Sequence, residues 1–137
     1  MNQSLAPKVT LRDMQNTDDI EELVDAFYGR ALTDPVIGFY FTEVADFNLE
    51  THLPTMYRFW SGILLGLPTY RSNAFQPHAL LNEKHAFQPK HFARWLRLFF
   101  ETIDELFEGP MTDLAKKRAQ QIATSMSAKL ENINSEA

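Results

Sequence analysis

The chain has 137 residues, a formal net charge of −5, 45% hydrophobic and 23% charged residues, and no cysteine. This size and mix suit one globular domain that buries its own core, over residues 1–137. The acidic balance argues against nucleic acid and anionic membranes as partners, and the missing cysteines exclude disulfide frameworks, thiolate metal sites, thiol nucleophiles and thioether-linked cofactors.

Residues 1–16 read as an N-terminal arm or short helix, without the charged-then-apolar build of a signal peptide. No apolar run approaches the length of a membrane span, and a cytoplasmic setting is expected. Ile20, Leu23, Val24, Phe27, Tyr28 and Ala31 then recur at helical spacing, with Thr17 as the expected N-cap and acidic residues at the positive helix start. Asp34-Pro35 ends that helix, and "VIGFYF" is a short apolar piece of one or two turns. Residues 48–66 carry His52, Met56, Phe59 and Ile63 on one stripe, stopped by Gly66-Leu67-Pro68; Pro54 interrupts its first turns.

Residues 69–88 show no long periodicity but contain "AFQPHALL", in which Pro77 restricts the backbone just before His78. Pro89 suits a first helical turn, and Phe92, Trp95, Leu96, Phe99, Ile103, Leu106 and Phe107 form the strongest stripe in the chain. Gly109-Pro110 breaks it, a last helix is expected over 111–131, and 131–137 is a polar tail. With no convincing strand, the fold is expected to be all-α, with four substantial helices.

Four histidines are the main chemical candidates: His52, His78, His85 and His91. None pairs at the His-x-x-x-His or Glu-x-x-His spacing that puts two ligands on one helix face. His85 lies in a polar loop, and His91 is expected to be a solvated first-turn residue. No Gly-x-Ser-x-Gly turn or phosphate-cradling glycine loop occurs, so no catalytic residue is assigned. The chain is rich in aromatics, with 11 Phe, 4 Tyr and 2 Trp. These can be a thick core, or they can wrap something flat and apolar. A single imidazole at His78, with Tyr28, His52, Met56 and Trp95 facing it, is the kind of set that surrounds haem; the same residues on helical stripes also make ordinary core.

Taken together, "FYGRALTDPVIGFYF" (27–41), "HLPTMYRFWSGILLG" (52–66), Tyr70 with His78, "HFARWLRLFFETIDELF" (91–107) and "KKRAQQIATSM" (116–126) resemble the third group of truncated haemoglobins. The resemblance implies a shortened globin fold, two antiparallel helix pairs around haem b. It implies His78 as proximal iron ligand, Tyr28, Trp95 and His52 as distal residues, and Phe41, Met56, Phe59 and Phe92 as haem-pocket residues. It implies reversible binding of O2, NO and CO, with Tyr28 and Trp95 hydrogen-bonding the ligand. Ser72 stands where the family pattern leads one to expect glycine. The interval from His78 to Trp95 is longer than the family's, with His85 in the extra length. Two further functions stay open: a haem enzyme that detoxifies NO or peroxide with an external reductase, and a haem-free helical interaction module.

Overall fold

The computed structural model describes residues 10–45, 48–67 and 75–136. Tyr70, Ser72 and the first part of the 1–16 arm lie outside the described residues. Among those described, five α-helices and one π-helical turn run in the order α1 (Thr17–Ala31), the turn Tyr40–Val44, α2 (Leu49–Leu65), α3 (Phe75–Lys84), α4 (Pro89–Leu106) and α5 (Pro110–Glu136). No strand occurs among them. α1 packs on α2 and α4 on α5, and the two pairs meet through α1 against α4. This is the expected all-α architecture, with one helix more than the periodicity predicts.

α1 starts one residue earlier than expected. Asn16, not Thr17, is the N-cap: its side chain accepts from the Asp19 N–H at 3.1 Å, and Asp19 accepts in return from the backbone of Asn16 and Gln15. An amide oxygen at Asn16 reaches the third helical N–H, and Thr17 is left as the first helical residue. Arg12 donates to Asp19 at 2.9 Å. That hydrogen bond outweighs burial and, with the two backbone donors, holds the Asp19 carboxyl down to about 2. The predicted stripe from Ile20 to Ala31 is buried throughout.

Residues 10–16 form a non-helical arm that caps a distant helix. Asp13 accepts from the Met111 N–H at 2.8 Å and from the Thr112 N–H at 2.9 Å, satisfying donors at the start of α5. Gly109, at φ +147°, lets the chain pass Asp13: a Cβ there would lie 2.6 Å from its Cγ. Gly66, at φ 70°, closes α2 in the left-handed conformation, the stop expected for it.

Pro54 lies well inside α2, so the Glu50 carbonyl lacks its helical donor at the exposed face. α3 is the unpredicted helix. Its weak amphipathicity hides it from a periodicity reading, and Pro77 sits in its first turn, where a missing N–H costs nothing. α5 runs to Glu136, so the expected polar tail is largely helix.

The core joins α1, α2, α4 and α5. Trp60 and Trp95 stack on Phe99 with ring centroids 5.0 and 5.6 Å away. Leu23, Ala31, Ile103, Ala115 and Ala119 are fully buried around this aromatic layer.

Candidate functional site

One large cavity of about 670 Å³ opens between the helices. Its size falls within the roughly 300–1,000 Å³ of small-molecule and cofactor sites. Tyr28, Phe41, His52, Met56, Phe59, His78, Phe92 and Trp95 all line it. All eight therefore face one space. His85, the histidine in the extra length, is absent from the lining.

Two walls differ in chemistry. The first is built by α1, α2 and α4. Tyr28 Oη stands 2.8 Å from His52 Nε2, and the two rings meet edge-on at 5.2 Å. Burial drives the Tyr28 phenol upward, so it stays protonated. Burial also lowers the His52 imidazole, and the charge that His78 would carry lowers it further. A neutral His52 thus pairs with a neutral phenol, and His52 turns inward despite Pro54 in the same helix. Trp95 completes the wall, edge-on to Phe27 at 6.0 Å. Phe41 packs edge-on to Tyr28 at 5.7 Å.

The second wall is α3 and the connection that follows it. His78 is half-buried on α3, its ring 6.2 Å from Phe87. Phe87 stacks on Tyr40 at 4.3 Å and tilts against Phe92 at 5.4 Å. The Tyr40 hydroxyl donates to the Ala86 carbonyl, 3.1 Å away, and lies 3.3 Å from His91 Nδ1. Burial pushes the Tyr40 phenol up to about 12.

His91 corrects the sequence expectation. It is not a solvated first-turn residue but is 5% exposed, and it lines the cavity. The turn 85–88 folds over it, and the Gln88 N–H donates to its Nδ1 at 2.9 Å. In the neutral ring the proton then sits on Nε2. Burial, with Lys90 and His85 nearby, lowers its basicity.

Several residues near the site escaped the sequence reading. Tyr40 and Asn82 are buried polar groups, and Asn134 on α5 is the partner of Asn82. A tyrosine inside "VIGFYF" or an asparagine in a polar tail carries no local sign of such a role. Asp34, which the sequence marks only as a helix end, is buried too. It accepts from the Val36 and Ile37 N–H groups and pairs with Arg94 at 2.6 Å. Burial alone would raise its carboxyl, but Arg94 and the two backbone donors together hold it below its ordinary value.

No model of a known protein family matches the chain. It is 29% identical over 112 residues to the group 3 truncated haemoglobin of Campylobacter jejuni, over 80% of this chain and 86% of that protein. Its fold matches the crystal structure of the group III truncated haemoglobin from Campylobacter jejuni with a TM-score of 0.76, at 24% identity, covering 88% of this chain and 95% of the other. The chain is thus similar to group III truncated haemoglobins in sequence. Its fold is the shortened globin of two antiparallel helix pairs.

Proposed function

We infer that this chain is a haem-binding globin whose cavity takes a diatomic gas, O2, NO or CO, between the two walls described above. One observation carries the reading: the imidazole of His78 faces the same apolar space as the phenol, imidazole and indole of Tyr28, His52 and Trp95, while His91, which also lines it, has its Nδ1 engaged by the Gln88 N–H. Haem needs one strong axial nitrogen, an apolar cage and a few donors across from it. The residues present fit that requirement; with no cysteine to form a thioether the group would be held non-covalently, and haem b is what the resemblance implies.

When bound, haem supplies an iron that takes diatomic ligands reversibly. His78 would hold the group from the α3 wall through a ring nitrogen. Phe41, Met56, Phe59 and Phe92 would pack on the flat ring and keep water out. Tyr28 and Trp95 would offer an O–H and an N–H to the gas ligand. For Tyr28 to donate to the ligand, His52 would donate its Nε2 proton to Tyr28 Oη, which leaves the phenol proton for the cavity. A hydrogen bond to a partner that bears charge is worth about 1.5–3 kcal/mol, enough to slow ligand escape markedly. Any turnover of NO or peroxide at this site would require electrons from an external reductase.

The test is spectroscopic. Protein purified from haem-replete cells should show a strong Soret band, and the ferrous form should carry a histidine-ligated signature that His78→Ala abolishes. A colourless protein that cannot be loaded with hemin would end this reading in favour of a helical interaction module.

A further inference from the structure

α3 carries His78, yet it is the least embedded helix of the fold. Among the described residues its backbone neighbours only α5 and the π-helical turn. Leu80, although it lines the cavity, is 54% exposed. Of its described side chains, Asn82 alone is buried, at 7% exposure. Asn82 stands one helical turn after His78, on the same face.

Both ends of the Asn82 amide are engaged. Its Nδ2 donates to Asn134 Oδ1 at 2.7 Å, and its Oδ1 accepts from the Phe87 N–H at 2.9 Å. Asn134 Nδ2 donates back to Asn82 Oδ1 at 3.3 Å. Two side-chain amides thus pair head to head and tie α3, the 85–88 turn and the last turn of α5 into one knot. The ring of Phe87, whose backbone joins the knot, is the neighbour of the His78 ring.

An apolar contact lets a helix roll; a pair of directional hydrogen bonds in a buried setting does not. We propose that Asn82 and Asn134 are positioning residues that set the rotation of α3, and through it the angle at which the His78 ring meets the iron. This rests on the haem reading above. It also gives the polar end of α5 a purpose: the helix extends far enough to bring Asn134 over α3.

The test uses the full chain and Asn134→Ala, with Asn132→Ala as a control on the same exposed helix end. Two quantities are measured: amide hydrogen exchange in the haem-free protein, and the iron–histidine stretching band of the ferrous haem-loaded protein. In Asn134→Ala, amides 78–84 should exchange roughly five- to a hundredfold faster, the range expected when a buried amide loses its partner. Amides of α1 and α4 should be unchanged. The iron–histidine band should move and broaden, and Asn82→Ala with Asn134→Ala should move it no further than Asn82→Ala alone. Asn132→Ala should leave both readouts as in the parent.

Unchanged exchange in α3 overturns the knot. Faster exchange with an unmoved band makes the pair structural only, and the positioning role falls. A parent protein that binds no hemin, or shows no histidine band, sinks the haem reading first and this proposal with it.

Discussion

The two walls of the cavity are held by opposite kinds of force. Tyr28, His52 and Trp95 project from long helices whose apolar stripes interlock around Phe99. His78 projects from a short helix with hardly any buried apolar surface, fixed by amides and by the Tyr40 hydroxyl. The first wall resists deformation because close-packed side chains leave it nowhere to go. The second is held at a few directional points, so single atoms matter more there. A gas-binding site gains from this division: its donors stay fixed, while the wall bearing the ligating imidazole can be tuned by small changes.

Four substitutions sharpen or break this contrast. The largest effect should come from Phe99→Ala, which removes the ring between Trp60 and Trp95. Truncating a buried aromatic costs about 3–5 kcal/mol, and denaturant unfolding of the apo protein should show that loss. A loss below about 1 kcal/mol would mean that the first wall is not held by packing.

Tyr28→Phe keeps the packing and deletes one donor. The oxygen dissociation rate should rise roughly ten- to a hundredfold, with little change in the unfolding midpoint. A flat rate in both Tyr28→Phe and Trp95→Phe would remove these residues from the ligand's surroundings.

On the other wall, Tyr40→Phe also deletes a single oxygen. Stability should fall by about 0.5–1.5 kcal/mol. Exchange at amides 85–88 should rise while α1 stays protected. If protection falls equally in both places, the two walls do not differ as described.

The last test concerns the anchoring of α1 and its sign. Asp19 has an ordinary value of 3.8 and is held down to about 2 in the folded chain. Its contribution is therefore present at neutral pH and is lost as pH falls from near 4 towards 2, where the folded carboxyl also takes up its proton. Asp19→Asn should flatten this part of the acid-unfolding curve while leaving the cavity's ligand kinetics unchanged. An unaltered acid limb would place the pH sensitivity at Asp13 and Asp34 instead.

Much of this molecule can be read directly from its residues. The spacing of Ile20 to Ala31 and of Phe92 to Phe107 specifies two helices and their buried faces, because a helix must repeat its apolar residues every three or four positions. Gly66, Pro89 and Gly109 mark boundaries through backbone geometry alone. The resemblance carried by residues 27–41, 52–66 and 91–107 led to the fold and to the residues that turned out to share one cavity.

What only the tertiary structure decided are the matters of polar partnership. α3 lacks a stripe because it buries almost nothing, so periodicity could not reveal it. His91 is buried because Tyr40 and the 85–88 turn close over it, and His52 points inward because Tyr28 meets it from another helix. Asp13 caps a helix start 98 residues further along the chain, and Asn134 completes Asn82 from 52 residues away. Hydrophobic burial leaves a local pattern, since each helix must present its own apolar face. A hydrogen bond between distant segments leaves none, since either partner alone looks like a residue bound for water.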